Sequence, residues 1–492
     1  MTKEYSSNPI KILGLSDVDI TGLTADSRSV KPGYLFAVFD TGGVSIGSYI
    51  GDAMGRGASS VLISFAGYKK YISYFQSSIT VIISDSPRPL YAFFASCFYG
   101  KQPQTIIAVT GTNGKSSVVE FIRQMWVGSG IAGASLGTLG MVGQNIIRPT
   151  KLTTPDASDL HQYLSELVED GVSHLALEAS SHGLDQGRLA GVKVSSAAFT
   201  NFTHDHLDYH GSANQYFDAK RRLFSEILSS KGVAILNADE KVYEKLQALL
   251  LDRGVEVLSY GRAGKELKIH DVEAKTDGQL LDITVFGTRY SILLPLIGYF
   301  QVMNVLCALG VASVSDVNID GVIKSLPNLS GVSGRLELVG KTLAGSSIYV
   351  DYAHTPAALE SALLALRSCR PNKLHLVFGC GGDRDSAKRN KMGMIAQKGA
   401  DKVFVTDDNP RTENASHIRR QILSSCNLAI EVPERRDAIH EAIKSLAYGD
   451  ILLIAGKGHE VGQIVGSEVK EFSDTEVAQQ ILKDRFRNEA CK

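Results

Sequence analysis

Short apolar runs, separated by glycine, serine and helix-forming stretches, recur along the whole chain. In the first hundred residues they lie at 34–39, 61–64 and 80–84, which predicts the strands of a small α/β unit. From residue 105 each apolar run is followed by a stretch with helical periodicity. We predict strands at 105–110, 173–178, 195–199 and 232–236 and a helix at 116–127. Such alternation is typical of βαβ units and a largely parallel sheet.

A glycine- and serine-containing segment at 329–334 precedes a second series of alternating elements. Strands are predicted at 347–350, 374–378, 402–406 and 450–455, with helices at 357–366, 387–399, 415–424 and 436–446. The predicted fold class is therefore α/β with three domains. They are a small N-terminal α/β domain at 1–100, a central P-loop-type parallel-sheet ATPase domain at 101–333, and a C-terminal Rossmann-like domain at 334–492. The length of 492 residues agrees with this number, since a domain has roughly 150 residues.

Charge and cysteine content exclude several classes of function. Lys and Arg number 51 against 52 Asp and Glu, so no broad basic surface for nucleic acid is expected. No apolar run approaches the length of about 18 residues that a spanning helix needs, and the start lacks a secretory pattern. The six cysteines are scattered without a CxxC pair, which is typical of free thiols in a reducing compartment. We expect a cytoplasmic protein without membrane insertion.

The segment VTGTNGKSS, at 109–117, joins a predicted strand to a predicted helix. Backbone N–H groups of such a turn face an anion, Lys115 would reach the β/γ-phosphates, and the Ser116 hydroxyl would bind Mg²⁺. Val109 occupies the first glycine position of the strict Walker pattern, so an ordinary βα turn is the alternative. The GK pair and the following hydroxyls favour phosphate binding.

Two further segments of the central region carry candidate chemistry. Glu178 ends an apolar strand and is followed by Ser180, Gln186 and Arg188, which indicates either a ligand site or simply a strand end with a helix cap. A cluster of imidazoles and carboxylates follows, comprising His204, Asp205, His206, Asp208 and His210. It is compatible with a zinc site, a Mg²⁺ site with one His, or an exposed capping loop; beside a nucleotide loop, Mg²⁺ is favoured.

Lys220 shares one predicted helix face with Phe217 and Phe224. A lysine on an apolar stripe usually extends its ammonium to water, and periodicity alone favours that interpretation. The alternative is a desolvated lysine of lowered pKa, whose neutral amine can react with CO₂ to give a carbamate that binds metal.

Three polar loops follow strands of the C-terminal region, namely GCGGDRD at 379–385, DNPR at 408–411 and GKGHE at 456–460. The first lacks the GxGxxG pattern, so NAD binding is weakly supported. Ligands of open α/β sheets bind beyond the carboxyl ends of the strands, so we expect these loops to converge.

These motifs, together with TTP at 153–155, NADE at 237–240, GRLE at 334–337 and DYAHTP at 351–356, follow the order seen in Mur ligases, and the chain resembles that family over 101–492. The resemblance implies an ATP-dependent amide ligase of peptidoglycan precursor synthesis that uses ATP and Mg²⁺ and acts as a monomer. The implied reaction adds meso-2,6-diaminopimelate to UDP-N-acetylmuramoyl-L-Ala-D-Glu through an acyl phosphate. A lysine-adding relative and a folylpolyglutamate synthetase-like ligase are the alternatives.

The resemblance also implies a role for individual residues. The catalytic set is Lys115, Glu178, His206 and Lys220. The ATP set is Gly111, Thr112, Asn113, Gly114, Lys115, Ser116, Ser117, Asn304, Arg335 and Asp351. The set for the UDP-muramoyl dipeptide is Ser27, Thr153, Thr154, Ser180, Gln186 and Arg188. The diaminopimelate set is Arg384, Asp408, Asn409, Pro410, Arg411, Gly456 and Glu460. Metal ligands are Ser116, Glu178, His206 and Lys220, the last as a carbamate (N6-carboxylysine).

Within the family, an Arg at the last position of DNPR accompanies diaminopimelate, because its guanidinium can clamp a distal carboxylate. Two departures from the family pattern affect single contacts. Gln301 stands where the adenine region usually has Asn, and Ser45-Ile46-Gly47-Ser48 replaces a usual Asp-Gly-His element. The uracil contacts are therefore left undefined.

Overall fold

A computed structural model describes residues 10–14, 18–39, 46–75, 79–203, 205–275 and 278–490, with side chains to 484. The chain divides into two compact units. The first comprises Met1–Ala108, Ile131–Ala197 and Ala219–Gly232; the second comprises Val109–Gly130, Ala198–Asp218 and Val233–Lys492. His204, Ser45 and Cys491, which the sequence interpretation used, lie outside the described residues.

The N-terminal part of the first unit is an α/β sheet with helices between its strands. Its elements are β1 (Lys11–Leu13), β2 (Gly22–Thr24), β3 (Tyr34–Ala37), α1 (Ile46–Gly55), β4 (Ser60–Ile63), α2 (Phe65–Tyr71), β5 (Thr80–Ile83) and α3 (Pro87–Tyr99). The strand order is β1-β5-β4-β3-β2, parallel except for β1. Buried side chains cover both faces, as a sheet between helices requires.

The middle of the chain supplies strands and helices to both units. Its elements are β6 (Thr105–Thr110), α4 (Lys115–Gly128), β7 (Gly133–Gly137), β8 (Gly140–Val142), β9 (Ile147–Arg148), α5 (Ala157–Glu169), β10 (His174–Glu178), α6 (Ser181–Asp185), β11 (Val194–Phe199), α7 (Leu207–His210), α8 (Ala213–Arg222), β12 (Leu228–Asn237), α9 (Tyr243–Asp252), β13 (Glu256–Gly261), β14 (Leu267–Lys275), β15 (Gly278–Val285), β16 (Thr288–Leu294), α10 (Tyr299–Ala312) and α11 (Ile319–Ser325). In the first unit β10 pairs with β7 in parallel, and β8 and β9 follow as antiparallel neighbours.

In the second unit, the parallel strands β12, β13 and β14 are followed by an antiparallel meander. The sequence interpretation had no strands in this meander, β14 to β16. Its side chains alternate between the two faces, with the pattern buried, buried, intermediate, buried, intermediate in Gly278–Val285. The predicted parallel sheet is therefore extended by antiparallel strands whose signal is a period of two.

The C-terminal domain of the second unit is a doubly wound sheet. Its elements are β17 (Glu337–Lys341), β18 (Ser347–Asp351), α12 (Pro356–Ser368), β19 (Leu374–Phe378), α13 (Ala387–Gly399), β20 (Lys402–Val405), α14 (Ala415–Leu423), β21 (Ile430–Glu431), α15 (Arg435–Lys444), β22 (Ile451–Ala455), β23 (Gly462–Val465), β24 (Glu468–Glu471) and α16 (Asp474–Ala490). The order is β17-β18-β22-β19-β20-β21, with only β17 antiparallel to its neighbour.

Helices α12 to α14 pack on one face of this sheet and α15 and α16 on the other. The Rossmann-like construction predicted from the sequence is confirmed. In register, Asp351 pairs with Ala455, Ala455 with Phe378, and Phe378 with Val405, so these strands end side by side. The loops that follow them therefore start at one edge of the sheet.

Two expectations concern the whole chain. No described helix combines the length and the apolarity that crossing a membrane requires. Within the described residues the cysteines at 97, 307, 369, 380 and 426 are free thiols.

Candidate active site

Two positions in the turn between β6 and α4 have backbone conformations that favour glycine. Gly111 and Gly114 have φ of +145° and +86°, and both lie in the region that L side chains rarely adopt. A Cβ at Gly111 would collide with Thr200 Oγ1, and one at Gly114 with Asn304 Oδ1. The turn thus brings backbone N–H groups to the start of α4, where an anion is favoured.

The loop after β11 fixes the shape of this turn. Asn113 N donates to Asn201 Oδ1 at 2.9 Å, and Thr200 Oγ1 donates to Asn113 O at 2.6 Å. Thr112 Oγ1 donates to Thr203 O at 3.2 Å and accepts from Thr203 N at 3.0 Å. Thr200, Asn201 and Thr203 were absent from the predicted site, although their hydroxyl and amide groups follow a strand end.

Of the first two residues of α4, Lys115 bonds the turn itself, and Ser116 lies beside a cation from the C-terminal domain. Lys115 Nζ donates to Gly111 O at 3.0 Å and to Thr112 O at 2.9 Å. Arg335 Nη2 is 3.4 Å from Ser116 Oγ, and its guanidinium lies over the ring of Tyr352, 4.5 Å from the centroid. The predicted ATP residues Ser116 and Arg335 are therefore brought together.

Asn304 on α10 is buried against the same turn, as its closeness to Gly114 shows. Its Nδ2 donates to Gln301 Oε1 at 3.2 Å, and Gln301 Nε2 lies 3.4 Å from Arg335 O. Gln301, which departs from the family pattern, thus links Asn304 to the backbone of Arg335.

Asp351, at the end of β18, is almost fully buried beside Arg335. Its oxygens accept bonds from Leu336 N at 2.6 Å and Ala353 N at 2.8 Å. Burial raises the pKa of this carboxyl to about 6, although Arg335 and the two N–H groups oppose the rise. Its hydrogen bond from Leu336 N holds the backbone next to Arg335 at the end of β18.

In the histidine-rich segment, the neighbouring side chains of Asp205 and His206 contact each other. His206 has a left-handed backbone with φ of +52°, and its Nε2 lies 3.4 Å from Asp205 Oδ2. Burial favours a raised pKa for Asp205, but the charges of His206, His354 and Lys115 and the hydrogen bond from His206 N together outweigh it, so the pKa is lowered. Across the described part of the chain, no three His, Cys, Asp or Glu side chains are grouped to hold a metal ion by themselves.

In the first unit, Glu178 lies at the end of β10 with its carboxylate buried to 1% exposure. It accepts bonds from Thr138 N at 2.8 Å and from Thr138 Oγ1 at 3.3 Å, and a Cβ at Gly137 would collide with it. Thr138 Oγ1 also lies 3.0 Å from Thr153 Oγ1. Thr138 orients the carboxylate, a role that no sequence pattern indicated.

Four of the residues predicted for the muramoyl peptide, Thr154, Ser180, Gln186 and Arg188, form one network in the first unit. Thr154 Oγ1 donates to Glu178 O at 2.8 Å and lies 3.0 Å from Ser180 Oγ, the cap of α6. Arg188 Nη1 donates to Thr154 O at 2.6 Å, and its Nη2 donates to Gln186 Oε1 at 2.7 Å. The structure therefore joins them through Thr154.

Two other predicted residues of the first unit have distinct environments. Ser27 is buried, and its hydroxyl donates to Asp52, which contributes to a lowered pKa of that carboxyl. Lys220 on α8 is 1% exposed and is among the largest fully buried side chains. The side chain therefore does not extend to water, contrary to what periodicity alone favours.

The DNPR loop after β20 is held by the β23–β24 hairpin. Arg411 has φ of +52°; its N–H donates to Ile464 O at 3.1 Å, and its carbonyl accepts from Gly466 N at 2.8 Å. Its guanidinium Nη1 donates to Gly382 O at 2.8 Å. The predicted convergence of the DNPR and GCGGDRD loops is confirmed.

The GKGHE loop completes this cluster. Asn409 Nδ2 donates to Glu460 Oε2 at 2.9 Å, and a Cβ at Gly456 would meet Asp408 Oδ2 at 2.7 Å. Arg384 is exposed, with its Cγ 3.9 Å from the Cβ position of Gly381. Lys457 is wholly buried at the centre of the cluster and was missing from the predicted site. Its position within GKGHE was its only sequence signal.

A glycine turn beside a lysine and a hydroxyl is typical of enzymes that bind nucleotide phosphates, and the doubly wound domain adds a polar cluster for a second substrate at its strand ends. Residues 109–312 match the Mur ligase middle domain, and residues 334–458 match the Mur ligase, glutamate ligase domain. The chain belongs to the Mur ligase family.

Relatives are similar along almost the whole length. The UDP-N-acetylmuramoyl-L-alanyl-D-glutamate–2,6-diaminopimelate ligase of Mesorhizobium japonicum is 43% identical over 477 residues, covering 97% of this chain and 98% of the relative. The ligase of the same name from Anaplasma marginale is 44% identical, covering 94% and 96%. A solved structure of a ligase of this name is 30% identical, with a TM-score of 0.67 and 95% coverage of both chains.

More distant structures share the fold. MurF ligase from Thermotoga maritima in complex with ADP has a TM-score of 0.64 at 16% identity, covering 96% of this chain and 100% of that one. Folylpolyglutamate synthase from Mycobacterium tuberculosis has a TM-score of 0.62 at 18% identity, covering 75% and 92%. The predicted α/β, multi-domain fold class is confirmed.

Proposed function

We propose that this protein joins meso-2,6-diaminopimelate to the γ-carboxylate of D-glutamate in UDP-N-acetylmuramoyl-L-Ala-D-Glu, using ATP. The observation that carries the proposal is the cluster of Asn409, Arg411 and Glu460. The bonds of the Arg411 guanidinium use Nη1, so Nε and Nη2 can receive a carboxylate in bidentate fashion. A guanidinium and a carboxylate suit an amino acid whose distal centre bears both a carboxylate and an ammonium.

The proposed reaction has two steps. An oxygen of the D-glutamate γ-carboxylate attacks the γ-phosphorus of ATP, ADP leaves, and an acyl phosphate forms. The diaminopimelate amine then attacks the carbonyl carbon, loses a proton, and phosphate leaves as the amide forms. The Lys115 ammonium and the Arg335 guanidinium would hold the phosphates and offset the developing charge.

The donor chemistry of the predicted metal ligands fits Mg²⁺. The Ser116 hydroxyl and the buried Glu178 carboxylate are oxygen donors, which Mg²⁺ prefers, and His206 and carbamylated Lys220 are the other proposed ligands. When bound, Mg²⁺ would neutralise charge on the phosphoryl oxygens. Carbamylation joins the Lys220 amine nitrogen to the carbon of CO₂ and releases one proton. The 1% exposure of Lys220 supports it, because burial disfavours the ammonium form.

The proposed setting is the cytoplasm, where ATP and nucleotide-linked precursors are available, and the proposed working form is a monomer.

A panel of amino acids tests this function. Phosphate release by the purified chain should require ATP, Mg²⁺, the UDP-muramoyl dipeptide and meso-diaminopimelate together. Lysine lacks the distal carboxylate that Arg411 would bind, so its kcat/KM should be lower by about 10²-fold or more. Omitting one component at a time is the control. Equal turnover with lysine would favour a lysine-adding enzyme, and turnover with a folate and glutamate would favour a folylpolyglutamate synthetase.

A further inference from the structure

Lys457 is the buried centre of the amino-acid cluster, with 0% of its side chain exposed. Its Nζ donates to Gly462 O at 2.6 Å, to Glu460 Oε2 at 3.1 Å and to Asn409 Oδ1 at 3.2 Å. An ammonium has three N–H donors, so these acceptors saturate it. Lys457 is therefore not a direct ligand for a substrate carboxylate.

The orientation of the Asn409 amide follows from these bonds. Oδ1 accepts from Lys457 Nζ and from Ile464 N at 2.9 Å, while Nδ2 donates to Glu460 Oε2 at 2.9 Å. Turning the amide over would place Nδ2 against two donors and Oδ1 against a carboxylate. The oxygen is thus fixed inward, and the second N–H of Nδ2 is left for another acceptor.

Glu460 is constrained in the same way. Its Oε2 accepts from both Lys457 and Asn409, which directs Oε1 away from the ammonium, and about a third of the side chain is exposed, at 32%. The cluster therefore offers an N–H donor from Asn409 and an acceptor from Glu460 in a fixed arrangement.

We propose that Lys457 is a positioning residue that sets the polarity of the amino-acid pocket. It directs Asn409 Nδ2 to join Arg411 in binding a carboxylate, and it leaves Glu460 Oε1 to bind an ammonium. The pocket then accepts the distal centre of a diamino dicarboxylic acid in one orientation only. The inference rests on the proposed function and adds the group that fixes its specificity.

The test is Lys457→Met in the full-length chain, because methionine fills a similar volume without the ammonium. The Asn409 amide becomes free to turn and Glu460 loses its ion partner. We expect the KM for meso-diaminopimelate to rise about ten-fold or more, because the proposed substrate bonds of Asn409 Nδ2 and Glu460 Oε1 are both lost. The KM for ATP should stay within about two-fold. The preference for meso-diaminopimelate over lysine should fall by a similar factor.

Lys444→Met, the loss of an exposed lysine on α15 of the same domain, is the matched control and should leave both KM values unchanged. If Lys457→Met does not fold, Asn409→Asp keeps the bonds to Lys457 and Ile464 but removes the Nδ2 donor, and it should raise the same KM. Equal rises in both KM values, or an unchanged meso-diaminopimelate preference in a folded variant, would overturn the positioning role. Absence of turnover with meso-diaminopimelate in the unmutated chain would instead overturn the proposed function.

Discussion

At the scale of single residues, burial decides the direction of the pKa shifts of Asp351 and His459. Asp351 accepts two backbone N–H bonds and faces Arg335, all of which favour the carboxylate. Burial nevertheless outweighs them and raises its pKa from 3.8 to about 6. His459 shows the opposite sign, since burial, followed by the charge of Arg335, lowers its pKa from 6.5 to about 4. Both groups are therefore biased towards their neutral forms.

Replacing Asp351 by Asn should remove a pH-dependent loss of stability. The folded carboxyl binds its proton more tightly than the unfolded one, so its contribution is full below pH 3.8 and is lost as the pH rises to about 6. A difference of about two pKa units corresponds to roughly 3 kcal/mol. Denaturant titrations at pH 4 and pH 7 should show a smaller decrease in unfolding free energy for Asp351→Asn than for the unmutated chain. Identical decreases would contradict the raised pKa.

At the scale of elements, a buried ion pair joins α15 to α16. Arg435, the first residue of α15, bonds both oxygens of Asp474 at 2.7 Å, and both side chains are 0% exposed. Its Nη2 also donates to Ala455 O at 3.0 Å, at the end of β22 and next to Gly456. The pair therefore links two helices to the strand end that leads into the amino-acid cluster.

Arg435→Met should destabilise the C-terminal domain by about 3–5 kcal/mol, because it leaves the Asp474 charge buried without a partner. The double variant Arg435→Met/Asp474→Asn removes that charge and should recover part of the loss. Denaturant titration monitored by circular dichroism would measure both. Arg436→Met, an exposed neighbour on the same helix, is the control and should change stability by less than about 0.5 kcal/mol. An equal loss in the single and double variants would show that the lone charge is not the cause.

At the scale of the whole molecule, the chain passes repeatedly between the two units, and each unit carries part of the predicted chemistry. Glu178 and Lys220 belong to the first unit, and Lys115 and Ser116 belong to the second. The near-zero net charge also conceals cationic positions, including Arg188, Arg335 and Arg411, that suit anionic substrates.

Loss of function should therefore follow from a change in either unit. Lys220→Ala should lower kcat at least about 10³-fold, because the proposed carbamate is lost, and a small carboxylate added to the assay should restore part of it. Lys115→Met should also abolish turnover, but the same carboxylate should not restore it. Phosphate release measures both. Activity close to normal in Lys220→Ala would exclude the carbamate role, and equal rescue of both variants would make the added carboxylate non-specific.

The sequence was sufficient where a signal is local. The GTNGK turn, the strand ends at Glu178 and Asp351, and the helices α4, α12 and α13 follow from short-range patterns of glycine, apolar and polar residues. The antiparallel meander β14 to β16 was missed because its strands largely alternate apolar and polar side chains, rather than forming the continuous apolar runs that were used to predict the other strands.

By itself, the sequence determined the α/β class, the order of the motifs and the chemistry of their side chains, because these depend on residue type and spacing along the chain. Only the tertiary structure decided which side chains contact one another. Lys457 meets Asn409, Thr138 meets Glu178, and Arg435 meets Asp474 across separations of 48, 40 and 39 residues. Burial, which sets the environment of Lys220 and the pKa of Asp351, arises from the packing of distant elements, and no local pattern encodes it.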